Sequence, residues 1–158
     1  MTQAQRRLLL IRRLLQENPA YRGMDVPTEP ADQQTLLRGL MNLRAPKPIG
    51  SDFLQLQDAY LQEEASAETI TDAADLTPLQ PGLCLWQGDI TTLRCDAIVN
   101  AANSGLTGCY IPNHRCIDNA IHTYAGIQLR LACAKIMEQQ GRPEPTGQAK
   151  ITPAFNLP

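Results

Sequence analysis

Between Gly88 and Gly126 the chain reads GDITTLRCDAIVNAANSGLTGCYIPNHRCIDNAIHTYAG. This stretch constrains the fold more than any other. An apolar strand core of Ala97, Ile98 and Val99 runs into the polar pair Asn100 and Asn103. A loop then sets Cys109, His114 and Cys116 within eight positions, and Asp118 follows in what reads as the first turn of a helix. Amides, soft metal ligands and a carboxylate thus meet at the carboxyl end of a strand, which is where open α/β sheets bind ligands. The C-x4-H-x-C spacing suits zinc, because thiolate and imidazole are its preferred donors and three protein ligands leave a fourth position open. Spacing alone leaves another reading standing: a loop cysteine, a buried cysteine and a surface histidine with no metal.

The elements on either side place this stretch in a mixed chain. In the N-terminal part, Leu8, Ile11 and Leu15, flanked by Leu10 and Leu14, recur with helical period, and Asn18-Pro19 ends the run. Residues 20–30 are rich in turn formers. A second helix is expected from Ala31 to Leu43, stopped by Pro46 and Pro48, since proline cannot donate the next backbone hydrogen bond. Ser51-Asp52 is expected to cap a third helix carrying Phe53, Leu56, Tyr60 and Leu61. Residues 66–81 are small and acidic and read as a linker or covering loop. Then the character changes. LCLW at 83–86 reads as a short buried strand, and 96–102 as a strand covered on both faces. Ile117 to Tyr124 reads as a helix ended by Gly126, and Ile127 to Gln140 as a helix stopped by Gly141 and Pro143. Ala149 to Ala154 reads as a further strand, with Pro153 awkwardly placed for a central one. Strand, strand, helix, helix, strand is α/β order. Two units are expected: a helical extension with its linker at 1–80, and an α/β unit at 81–158.

Charge and cysteine usage narrow the function classes. The net charge of −2 offers no nucleic-acid footprint. It is unevenly spread: residues 1–50 hold eight bases and four acids, while residues 51–80 hold seven acids and no base. This division points to an outer segment folded against itself. Five cysteines, an odd number without a preceding secretory signal, argue for reduced thiols over a disulfide framework. Cys84, Cys95 and Cys133 lie in apolar or helical contexts and are expected to pack. The stretch TQAQRRLLLIRRLLQ is arginine-rich, as organelle transit peptides are, but its periodicity is that of an ordinary amphipathic helix. No apolar run approaches the roughly 20 residues that span a bilayer. A cytoplasmic location without a membrane partner is expected.

GDIT at 88–91, DAIVNAANS at 96–104 and DNAIH at 118–122 together resemble the macrodomain family of ADP-ribose-binding proteins. The Cys109–Cys116 insertion resembles its zinc-containing branch, the protein-ADP-ribosyl hydrolases. The resemblance covers residues 83–158 and implies a three-layer α/β/α unit behind the N-terminal helices. It also implies Zn2+ on Cys109, His114 and Cys116, with ADP-ribose contacts from Asp89, Ile90 and Asn103. Asp89 would accept from the adenine amine, Ile90 would face the ring, and Asn103 would hold the distal ribose. Asp118 matches the family carboxylate near the scissile bond, so Asn103 and Asp118 are the expected catalytic pair. The implied activity is zinc-dependent removal of mono-ADP-ribose from modified proteins. The implied partners are ADP-ribose, the modified protein, and in this branch a sirtuin-like transferase and a lipoyl carrier protein.

Each assignment has a plainer counterpart in the residues themselves. Aspartate after a strand is commonly a turn former or helix cap, and asparagines often end strands for backbone reasons, as Asn100 could. An acidic residue in a helix's first turn is favoured by the macrodipole. His122 is expected to pack or cap, not to bind metal. Two other functional classes stay open: an ADP-ribose reader without turnover, and a structural zinc closed by a fourth ligand such as Cys95. The resemblance stops at AKITPAFNLP, where macrodomains continue through further strands and a second glycine-rich loop for the diphosphate. The C-terminal half of the unit is therefore expected to be incomplete and the 158-residue chain weakly active or inactive by itself.

Overall fold

The computed structural model describes all residues, Met1–Pro158. Three helices open it: α1 (Gln3–Glu17), α2 (Pro30–Leu43) and α3 (Ser51–Ser66). Thr2 caps α1 by accepting from the Gln5 backbone N–H while the Gln5 side chain accepts from the Thr2 N–H, so two otherwise orphaned donors are satisfied. Helix α2 starts on Pro30, whose missing N–H costs nothing at a first helical position. The cap of α3 falls on Gly50, so Ser51 is already helical and Asp52 lies in the first turn. Leu10, Ile11, Leu14 and Leu15 of α1, Leu37, Leu40 and Met41 of α2, and Phe53, Tyr60 and Leu61 of α3 share one core. The charge asymmetry of the two segments is used internally: Arg13 pairs with Asp52 at 2.6 Å and Arg6 pairs with Glu63, both joining α1 to α3.

Four short strands follow: β1 (Thr71–Asp72), β2 (Pro78–Gln80), β3 (Leu83–Cys84) and β4 (Leu93–Arg94). β1 pairs with β4 in parallel, and β2 with β3 as an antiparallel hairpin irregular at Pro78/Gln80. The stretch expected as a linker therefore carries two strands. The expected strand at 83–86 shortens to Leu83–Cys84 and is exposed. Residues 96–102 and 149–154 are not strands: Val99 is 86% and Ile151 92% exposed, and neither stretch pairs with a neighbour. A strand exists only where a second chain segment completes its ladder of hydrogen bonds, and apolar composition cannot supply one. Of the three cysteines expected to pack, only Cys133 is buried; Cys84 is exposed and Cys95 half-buried.

Helices α4 (Ile117–Ala125) and α5 (Ile127–Gln140) lie where periodicity places them, joined at Gly126. Ile121, Ala125, Leu129 and Cys133 form a second core, against which Ile90, Ile98, Leu106 and Leu157 pack. The two cores are joined. Ile127 belongs to the first, and Gln57 of α3, fully buried, accepts from the Ile127 N–H at 3.0 Å. Asp58 gathers donors from Gln57, Gln128 and Asn156 on one carboxylate oxygen. The class is mixed α/β, with helices dominant and the sheets small, consistent with a macrodomain-like fold.

Candidate metal centre and its surroundings

Cys109, His114 and Cys116 converge. One donor atom from each lies within 4.8 Å of the others, and Cys109 Sγ stands 3.6 Å from His114 Nδ1. Two tetrahedral ligands at about 2.3 Å (sulfur) and 2.0–2.1 Å (nitrogen) are roughly 3.5 Å apart, so this spacing fits zinc. Cys116 also caps α4, its Sγ accepting from the Asn119 backbone N–H at 3.4 Å. A thiolate there faces the positive end of the helix dipole. Gly108, at φ 85, precedes the first ligand; an added Cβ would sit 2.7 Å from the His122 ring, so the loop enters this corner only as glycine.

Asp118 is buried in the first turn of α4. Its Oδ1 accepts from Asn100 Nδ2 at 2.8 Å, and His122 Nε2 lies 3.6 Å from the same atom. Asp118 Oδ2 makes no hydrogen bond within the chain. His122 is buried too, and burial pushes its imidazole down to about 4 against the pull of Asp118. His122 is thus neutral at neutral pH and packs, as expected. Two polar atoms here, Asn100 Oδ1 and His122 Nδ1, are buried without a partner.

Asp89 caps the turn at Ile90–Thr92, its Oδ1 accepting from Thr91 N at 2.9 Å and Thr91 Oγ1 at 2.7 Å. Its Oδ2 remains unpaired within the chain and the residue is exposed. Ile90 is half-buried on the second core, and the turn packs against α4, the helix that carries Cys116 and Asp118. Asn103 is exposed and folds the loop before the ligands: its Oδ1 accepts from Gly105 N at 2.9 Å and its Nδ2 donates to the Gly108 carbonyl at 3.3 Å. The plainer readings of Asp89 and Asn103 are therefore occupied roles, each compatible with a ligand contact through the remaining valences.

Several participants escaped the sequence reading. Asn100 is singled out in the sequence, but as a residue that ends a strand, and its role as the hydrogen-bonding partner of Asp118 is not seen there. Arg130 of α5, 4% exposed, donates to the carbonyls of Met41, Asn42, Arg44 and Thr107 at 2.6–3.1 Å and to that of Cys109 at 3.4 Å. Its guanidinium also lies 4.2 Å from the centre of the Tyr110 ring. Arg130 so ties the end of α2 to the start of the ligand loop. One signal for it was present: an arginine between Leu129 and Leu131 on a helix whose neighbouring positions are apolar.

Together these features describe a mixed α/β protein with a Cys–His–Cys cluster that could hold a metal ion, two residues along the chain from a buried carboxylate. Residues 99–158 match the family described as Macro domain. Over its whole length the chain is 57% identical to a protein-ADP-ribose hydrolase of Treponema medium, covering 62% of that protein. It is 51% identical over 84% of its length to a protein-ADP-ribose hydrolase of Staphylococcus aureus, covering 50% of it. A probable bifunctional ADP-ribose hydrolase/ADP-ribosyltransferase of Fusarium oxysporum f. sp. cubense is 38% identical over 82% of the chain, which covers 24% of that protein. The resemblance to macrodomains thus holds, and the N-terminal helices are within the aligned part of the Treponema relative. The chain spans between about half and five-eighths of the length of the first two relatives.

Proposed function

We propose that the chain forms the metal-binding part of a hydrolase that releases mono-ADP-ribose from modified proteins, with zinc on Cys109, His114 and Cys116. The observation that carries this reading is the convergence of those three donors at the start of α4, whose first turn carries Asp118 held by Asn100. The names of the relatives support the substrate class. The bond to be cut joins the anomeric carbon of the distal ribose to a protein side chain, and its cleavage develops oxocarbenium-like charge. Asn100 fixes the Asp118 carboxylate by holding Oδ1, which leaves Oδ2 to accept from an attacking water and orient or deprotonate it. Asn103 would position the ribose hydroxyls through its amide, which both donates and accepts. Asp89 would accept from the adenine amine through Oδ2, with Ile90 against the ring. Bound zinc would supply Lewis-acid polarisation of ribose oxygens or acidify a coordinated water toward about pH 7. A sirtuin-like transferase and a lipoyl carrier protein are the partners that the resemblance implies, and the cytoplasmic setting follows the reading of the five cysteines as reduced thiols; no helix here is long and apolar enough to cross a membrane.

The test is an assay of ADP-ribose released from a mono-ADP-ribosylated protein, run on a full-length protein containing this sequence, with and without chelator. Asp118→Ala is expected to lower turnover by at least tenfold while ADP-ribose binding persists, and Asp89→Ala to weaken binding with turnover at saturation retained. No ADP-ribose release by the unaltered full-length protein, with binding intact, would favour a reader without catalysis, and unchanged turnover in Asp118→Ala would remove the role given to Asp118.

A further inference from the structure

The N-terminal helices have no role in the chemistry above, yet one of them reaches the ligand loop. Arg38 of α2 donates through its terminal nitrogen to the His114 carbonyl at 3.2 Å and to Asn119 Oδ1 at 2.9 Å, and through Nε to Asn119 Oδ1 at 3.3 Å. Its guanidinium also lies 6.0 Å from the centre of the Tyr124 ring on α4. One turn further, Asn42 is 1% exposed; its Oδ1 accepts from the Asn113 backbone N–H at 3.0 Å and its Nδ2 donates to Thr123 Oγ1 at 2.9 Å. Asn119, itself fully buried, donates from Nδ2 to the Ile111 carbonyl at 3.1 Å. Gly39 lies between Arg38 and Asn42, and a Cβ there would meet Asn113 Nδ2 at 3.2 Å, so the backbone of α2 leaves little room between itself and the loop.

We infer that Arg38 and Asn42 are positioning residues for the metal centre. The helix they sit on holds the 109–116 loop with its ligand atoms gathered before any ion arrives. The inference rests on the zinc reading above. Three loop residues, Ile111, Asn113 and His114, have a backbone group fixed by a side chain from α2 or α4. The third of them is itself a ligand. The eight residues from Cys109 to Cys116 would otherwise have to lose their backbone freedom when the metal binds. Partners that orient ligands typically change metal affinity by 10–100-fold when removed. The helical segment therefore acts on the site by preorganisation, not by contributing a ligand.

Zn2+ affinity of the whole chain, measured by competition with a chromophoric chelator, tests this, together with the visible spectrum of the Co2+ form and the melting temperature of the metal-free protein. Arg38→Ala and Asn42→Ala are expected to weaken Zn2+ binding 10–100-fold and to alter the Co2+ bands, with Arg38→Lys recovering part of the loss. Arg13→Ala, which removes the α1–α3 pair with Asp52 away from the loop, is the control and should leave both readouts unchanged. Wild-type Zn2+ affinity in Arg38→Ala and Asn42→Ala overturns the inference and leaves the metal site standing. So does an equal loss in Arg13→Ala, which would trace the effect to general destabilisation. Should the alanine variants fail to fold, Arg38→Lys decides: a folded protein with unchanged Co2+ bands and unchanged Zn2+ affinity overturns it. Failure of the unaltered chain to bind Zn2+ removes the underlying reading and this inference with it.

Discussion

Asp118 shows how one residue can satisfy two descriptions. Its place in the first turn of α4 is what the helix dipole favours, and its contact with Asn100 is what an oriented carboxylate needs. The neighbouring His122 provides a measurable consequence. Burial holds its folded pKa near 4, below the 6.5 of an unfolded chain, so between these values the unfolded state binds the extra proton. Stability is then unaffected above about pH 6.5 and falls as pH drops from there toward 4. The full loss is on the order of 3–4 kcal/mol, at about 1.4 kcal/mol per unit. Urea unfolding of the metal-free protein at several pH values measures this slope. In His122→Gln the slope between pH 6.5 and 4 should flatten, whatever the variant's absolute stability; an unaltered slope would assign it to other groups.

At the level of elements, helix ends carry most of the specificity. α4 starts on Cys116, one of the three candidate ligands, so the geometry of the cap and that of the candidate metal centre are one feature. α5 starts on Ile127, and the donor that a helix leaves orphaned there is satisfied by Gln57 from α3. Gln57 is fully buried, and its Nε2 donates to Gln128 Oε1 at 2.6 Å. Gln57→Leu keeps the bulk and removes these two bonds and the one to Asp58 Oδ1, leaving the Ile127 N–H buried and unpaired. A loss of about 1–3 kcal/mol in chemical denaturation is expected, and a neutral result would mean that water reaches the start of α5. Gln57 reads in the sequence as one more polar residue on an amphipathic helix. Its position one turn from Phe53 and Tyr60 placed it on the inward face, but its partner lies 70 residues away.

For the whole molecule, the candidate metal centre should couple to folding, because its donors come from one loop held between α2, α4 and α5. At a free Zn2+ concentration 100 times the Kd the folded state gains about 2.7 kcal/mol. For a chain of this length that corresponds to a rise in melting temperature of about 5–11 °C. Scanning calorimetry with Zn2+ and with chelator checks it. Replacement of Cys109, His114 and Cys116 together should abolish the difference and the bound metal; a shift that persists in this variant would place the metal elsewhere.

The residues alone determined the five helices to within a residue or two and the gathering of Cys109, His114 and Cys116 in one loop. These depend on period, capping chemistry and local spacing, which are written along the chain. What they left open depends on contacts between distant segments. Residues 96–102 have strand composition, yet strand identity requires a paired neighbour, and the pairs that form are instead Thr71 with Leu93 and Pro78 with Cys84. Arg38, Asn42 and Arg130 are ordinary helix residues until the fold sets them against backbone carbonyls and amides 71–89 positions away. Which polar groups meet was decided by tertiary structure, because a buried donor takes whichever acceptor packing brings within reach, and separation along the chain carries no record of that.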